Sequence, residues 1–267
     1  MRDINEEIAR HIKKLKKKKQ IKLGVTNIIR ISECPLKAIF YSSLCPIEMP
    51  TTKAFVSGII SHYAYELYYD LDNIGTDNDS IEYVLKQATE RLRNERTAEY
   101  TYFESKKDEI IASSYGYIRT FLKWAQYQPR PYRRELYITH GLVEGIIDRI
   151  DMINDKILIT DYKTTSSTPK KDTLETYKTQ LGGYIWLMRK TTNKPLEMLP
   201  PRIVIFKKAS WETITIHDFE DYVEDFEGMV YYVARMLLKL TKGKLPKGKP
   251  SDKCYYCLAR NICPYRL

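Results

Sequence analysis

The chain predicts an α/β (α+β) fold, and two features of its pattern carry that prediction. From Arg133 onward the residues alternate in the period-two manner of strands, over 135–139, 144–164, 202–207 and 212–216, whereas 53–70, 81–95 and 105–127 carry apolar side chains at helical spacing. A further helical stretch, about 176–189, separates the strand segments, so the order is strand, hairpin, helix, strand. With 267 residues, 43% of them hydrophobic, there is enough apolar side chain for one generous core.

In order along the chain, residues 3–20 place Ile4, Ile8, Ile12 and Leu15 at helical spacing around the run Lys13 to Lys19, which predicts a basic amphipathic helix. Such a helix is either a solvated end or a nucleic-acid contact. Ser32 is placed to cap a helix whose first turn holds Cys34. The polar loop 72–80 lacks the ligand spacing and terminal Glu of an EF-hand. Pro129 and Pro131 close the helical part. A last helix, about 218–241, leads into a Lys/Gly/Pro linker at 242–250.

Lys and Arg outnumber Asp and Glu by 44 to 34, a formal charge of +10, which suits a polyanion such as nucleic acid. No apolar run of about 18 residues is present to span a membrane, and the charged N-terminus does not resemble a signal peptide. These features predict a soluble, cytoplasmic protein. In that reducing compartment five cysteines argue for metal rather than disulfides. No Gly-x-x-x-x-Gly-Lys-Ser/Thr loop occurs, so the chain is not itself a helicase.

The segment 144–164 reads as two aliphatic strands joined by a tight turn at Asn154-Asp155. A two-residue loop sets Ile153 against Lys156 and Asp148 against Asp161, with side chains about 5 Å apart. Alternation puts Asp161 and Lys163 on one face with Ile157 and Ile159, and with Ile146, Ile150 and Met152 across the pair. Asp151 falls on the opposite face, and Glu144 shares the face but lies farther away. Two buried carboxylates this close repel unless a cation or proton intervenes. A divalent metal compensates them; a buried Asp-Lys salt bridge is the plainer alternative.

Other candidates lie at helical spacing. His62 and Glu66 are four apart and share a face, as do Gln180 and Tyr184 around Gly182 and Gly183, two helical glycines that imply close packing or a ligand. Cys254, Cys257 and Cys263 crowd the C-terminus and imply a four-thiolate site whose fourth ligand is Cys34 or Cys45, as in a zinc knuckle or an iron-sulfur site.

Taken together, Gly58-x-x-x-His62, Gly145-Ile-Ile-Asp148, Asp161-x-Lys163, Gln180-x-x-x-Tyr184 and the cysteines resemble the RecB-like branch of the PD-(D/E)xK nuclease superfamily. They are most similar to its iron-sulfur members, above all the CRISPR-associated exonuclease known as the fourth Cas protein. The resemblance spans 31–264, with Asp161 where many members carry Glu. It implies a restriction-endonuclease-like core, a mixed central sheet flanked by helices, with a helical insertion and a C-terminal iron-sulfur segment. The segments would be a basic N-terminal helix (1–30), a cluster-ligand turn and helical part (31–130), a nuclease core (131–243) and the iron-sulfur tail (244–267).

The resemblance further implies His62, Asp148 and Asp161 as ligands of Mg2+ or Mn2+, joined by a main-chain carbonyl near Tyr162. Lys163 would orient or deprotonate the attacking water, being a better proton acceptor than a surface lysine, and Gln180 and Tyr184 would position it and the DNA backbone. Cys34, Cys254, Cys257 and Cys263 would hold a 4Fe-4S cluster, with Cys45 left as a buried thiol. The implied activity is exonuclease cleavage of single-stranded DNA in CRISPR spacer acquisition or in recombination and repair. Implied partners are integration proteins or a helicase, with a homo-oligomer also consistent. The rival reading is a silent nuclease fold that binds nucleic acid or acts as a scaffold.

Overall fold

The computed structural model describes residues 22–36, 51–71, 74–192, 196–242, 244, 246–257, 263 and 265. The basic helix expected over 3–20 and Cys45 lie outside these residues.

Among the described residues six strands form one mixed sheet: β1 (Leu23–Gly24), β2 (Arg133–His140), β3 (Val143–Ile153), β4 (Lys156–Thr164), β5 (Arg202–Phe206) and β6 (Trp211–Thr215). Two tight turns set its central register. Gly141-Leu142 puts His140 opposite Val143, and Asn154-Asp155 puts Ile153 opposite Lys156. Asn154 and Asp155 both take positive φ, 49° and 62°, the backbone of the turns whose twist matches that of paired strands. Strands β4 and β5 run parallel, and β5 returns antiparallel into β6.

Helices cover both faces. Helices α1 (Val25–Glu33), α6 (Lys171–Thr191) and α7 (Phe219–Thr241) pack Ile28, Leu181, Ile185 and Phe226 into one core with Ile147, Ile159 and Ile203. On the other side α2 (Lys53–Tyr68), α3 (Asn78–Glu95), α4 (Thr97–Ser105) and α5 (Lys107–Ala125) bury Ile60, Phe103 and Phe121 in a core with Tyr162, Val204 and Phe206. The architecture is the mixed sheet flanked by helices that the sequence predicts. Thr52 and Asp77 cap α2 and α3, accepting from the N–H groups of Phe55 and Ser80 at 3.2 and 2.9 Å.

Around Ser32 the structure departs from expectation. Ser32 sits in the last turn of α1, its hydroxyl donating to Ile28 O at 3.1 Å, and it caps no helix among the described residues; Cys34 follows the helix end. Helix α1 is hidden in the sequence because its buried residues, Val25, Ile28, Ile29 and Ile31, are all β-branched and individually poor helix formers. Burial on α6 and α7 overrides that preference.

The paired glycines of α6 serve close packing. A Cβ on Gly182 would stand 2.4 Å from the carbonyl oxygen of Tyr222, and that backbone cannot yield without moving α7. Gly182→Ala is therefore expected to destabilise the protein by about 2–3 kcal/mol despite its better helix propensity. A urea midpoint unchanged by the substitution would contradict this packing.

Candidate active site

The sheet opens at its centre. One edge of β3 is taken by β2 along 143–150, so β1 and β4 must share the other edge; β1 pairs only at 143–144 and β4 only from 149 onward. Between them the β3 edge has no ladder partner, and a side chain fills the gap: Asp148 Oδ2 accepts the Tyr162 N–H at 2.6 Å.

Across this opening the two turns align one acid from each of three strands. Asp148 extrapolates to Asp161 in the β3–β4 register and to Glu135 in the β2–β3 register. Glu135 is skipped by the ladder and has φ of 43°, a left-handed backbone uncommon outside glycine. His62, from α2, completes the group: its Nδ1 lies 3.7 Å from Asp148 Oδ1. One ligand atom each from His62, Glu135 and Asp148 fall within 4.8 Å of one another. This donor set, carboxylate oxygens with one imidazole, fits a hard divalent cation.

Glu135 reads in the sequence as the start of a strand and not as a ligand, and Asp161 is not part of this closest triad. Lys163 accounts for the difference, since its Nζ holds Asp161 Oδ2 at 2.7 Å. Counting back from a two-residue loop at Gly141-Leu142 would have found Glu135 in the same way that Asn154-Asp155 found the 148–161 pair.

Lys163 heads a polar relay. Its Nζ donates to Gln180 Oε1 at 3.0 Å and stands 4.9 Å from the Tyr177 ring centroid, and Gln180 Nε2 donates to the Tyr184 hydroxyl at 2.6 Å. Gly145 makes room for Tyr184, whose ring would meet a Cβ there at 3.0 Å. Burial acts to lower the Lys163 pKa, but the Asp161 and Asp148 charges outweigh it and the pKa is raised. The expected proton acceptor is thus held protonated in the metal-free protein.

The acids are raised as well, which for them favours the neutral form. Burial pushes Asp161 up to about 6 against the Lys163 charge, and Asp148 is also raised by burial. Glu135 is pushed up to about 8, by burial and then by the Asp148 charge. His62 is pushed down to about 4 by burial and the Lys163 charge, which leaves the neutral imidazole that a metal requires. A raised folded-state pKa means that the Glu135 contribution to stability is full below about 4.5 and is lost as pH rises through about 8. In EDTA, Glu135→Gln is expected to raise Tm by a few degrees at pH 8.5 and to leave it unchanged near pH 4.5. An equal shift at both pH values would count against charge crowding.

Other residues take places of their own. Glu66 is held by Arg91, which also binds Glu95 at 2.8 Å, so it stands with the cleft wall rather than with the triad. Glu144 accepts the Tyr137 hydroxyl at 2.9 Å. Asp151 faces the opposite core, in a two-pronged pair with the buried Arg149 at 2.7 and 2.8 Å. Ile146 and Met152, expected on the buried face, are 48% and 43% exposed. Ile146 lines the open cleft, and Met152 lies near the hairpin turn. That cleft, about 670 Å3, leads to the triad between Phe55, Gly58, Ile59, Tyr63 and Arg96.

The cysteines converge from both ends of the described chain. Cys34, Cys257 and Cys263 are half-buried against the α1–α6–α7 core, and Cys254 lies in a 3-10 turn, Asp252–Tyr256. The Cys263 thiol is pushed up by burial and by the Cys34, Cys254 and Cys257 thiols beside it. None of the four forms a disulfide.

Residues 22–264 match the model of the PD-(D/E)XK nuclease superfamily, and the chain belongs to that superfamily. Among solved structures it is similar to a Eubacterium rectale protein provisionally named an exonuclease, at 15% identity and TM-score 0.46, over 84% of this chain and 83% of that one. A protein crystallised under the name SSO0001 is similar at 16% identity and TM-score 0.34, over 84% and 91%. Likenesses at this level add no weight to the family match. A comparison with curated proteins returns no significant match. No described helix is long and apolar enough to cross a membrane.

Proposed function

We propose that the chain is a metal-dependent deoxyribonuclease that hydrolyses phosphodiester bonds from single-stranded ends, serving CRISPR spacer acquisition or recombination and repair in the cytoplasm. The carrying observation is the acid row Glu135, Asp148 and Asp161, aligned across three strands with His62 above it and Lys163 at its end. His62, Asp148 and Glu135 would hold Mg2+ or Mn2+, with Asp161 beside them. The bound ion would stabilise charge developing on a phosphoryl oxygen and lower the pKa of a water.

The chain's own groups would do the rest. Lys163, charged and aimed by Gln180 and Asp161, would donate to a phosphate oxygen and orient the incoming water. Tyr184 keeps Gln180 in place. The four cysteines would hold a 4Fe-4S cluster, a set of thiolates apt for it, that clamps the C-terminal segment to α1. Integration proteins or a helicase would be its partners, and a homo-oligomer its assembly.

The test is cleavage of end-labelled single-stranded DNA in Mg2+, Mn2+ or EDTA by the native chain and by Asp148→Ala and His62→Ala. Metal-dependent cutting lost in both variants supports the reading. Binding without cutting by the native chain would replace it with the silent scaffold. Absorbance near 400 nm that disappears in Cys257→Ser separates an iron-sulfur cluster from zinc.

A further inference from the structure

Among the described residues, positive charge is not gathered at the cleft. There Glu66, Glu95 and Glu135 outnumber Arg91 and Arg96. Five cations line a second concavity instead, of about 620 Å3, between the C-terminal part of α7 and residues 244 and 246–249. They are Arg235, Lys239, Lys244, Lys247 and Lys249, and among the described residues no carboxylate lines the space.

Among the described residues, the contacts that build the concavity leave these charges without a carboxylate partner. Lys249 Nζ donates to Ser32 O at 2.9 Å and stands 5.0 Å from the Tyr232 ring centroid. The Lys244 N–H donates to Lys239 O at 3.0 Å, and Gly248 passes so close to Tyr265 that a Cβ would meet it at 3.0 Å. Arg235 and Lys239 lie one turn apart on α7, a like-charge spacing that weakens a helix in isolation. A ligand rich in anionic oxygens relieves this repulsion, and a strand of phosphates supplies several at once.

The place is remote from the acid row. Helix α7 crosses α6 where Tyr222 meets Gly182, two residues from Gln180, and runs about 25 Å further to Lys239. We propose that this concavity anchors the phosphate backbone of nucleic acid away from the scissile bond. The proposal takes only its class of ligand from the nuclease reading.

Fluorescence anisotropy of a labelled oligothymidylate of about 30 nucleotides, in EDTA so that nothing is cut, tests it on the full chain. Lys239→Gln/Lys247→Gln is compared with Lys86→Gln/Lys123→Gln, which removes the same charge from exposed positions on α3 and α5. The first pair is expected to lower affinity about tenfold and to flatten the slope of log K against log salt by about 1.4, while the control pair changes affinity less than about threefold. Equal effects of the two pairs, or none from the first, overturn the proposal. Since no turnover is needed, a chain that cuts nothing can pass this test, and a chain that cuts DNA can fail it.

Discussion

Lys163→Ala is expected to lower kcat on single-stranded DNA by about a thousandfold in Mg2+ or Mn2+ while DNA affinity in EDTA stays within about threefold. Among the described residues the ammonium is the one cation bonded into the acid row, 2.7 Å from Asp161 and 3.0 Å from Gln180, so its loss removes charge where phosphate charge would develop. A stability signature accompanies the kinetic one. Asp161 is pushed up to about 6 even with Lys163 present, and removing the cation raises it further. The raised pKa stabilises the protonated form, so the metal-free variant loses stability relative to the native chain above about pH 6 and matches it near pH 4. A variant retaining more than about a tenth of native kcat would remove Lys163 from the chemistry.

Arg149→Met is expected to cost about 3–5 kcal/mol, the largest single loss of stability anticipated in this fold. Arg149 is 1% exposed, and beyond its two bonds to Asp151 it donates to the Tyr69 hydroxyl and the Pro129 carbonyl at 2.6 and 2.5 Å. Its guanidinium stands 5.5 and 5.6 Å from the ring centroids of Tyr69 and Trp124, and truncation leaves the buried Asp151 carboxylate without its counter-charge. Arg149→Met/Asp151→Leu is expected to regain most of the loss, because the charge that needed compensation leaves with its partner. Urea midpoints of the two variants decide the matter: a double variant no better than the single one would place the cost in the Tyr69 and Pro129 bonds.

The residues of the site were legible where a local rule governed them. The turn at Asn154-Asp155 sets the 148–161 alignment by counting alone, and the i, i+4 spacing of Gln180 and Tyr184 anticipates their hydrogen bond. Helix α1 was not legible, because its β-branched residues read as helix-poor until α6 and α7 bury them. Ile146 is misplaced for another reason: Gly145 meets Tyr184 and Ile147 joins the α1–α6–α7 core, so Ile146 takes the α2-facing side, and the alternation read back from Ile150 does not carry through Asp148. Glu135 was missed for want of a weak signal, the Gly141-Leu142 turn, which lacks the Asn-Gly or Asp-Gly pair that marks such loops. The raised pKa of Lys163 depends on how close two carboxylates come, which spacing does not specify.

The two-residue turns act as rulers, and that gives them a rank no side chain in them has. Every acid of the row is placed by counting from Gly141-Leu142 or Asn154-Asp155, so an inserted residue that shifted either pairing by one would turn an acid from the opening into the opposite core. Length is therefore under constraint in these two loops, and so is backbone conformation, since Gly141, Asn154 and Asp155 all hold positive φ. Exchange among Gly, Asn and Asp at Gly141, Asn154 and Asp155 keeps both the backbone and the acid row, whereas an added residue keeps neither.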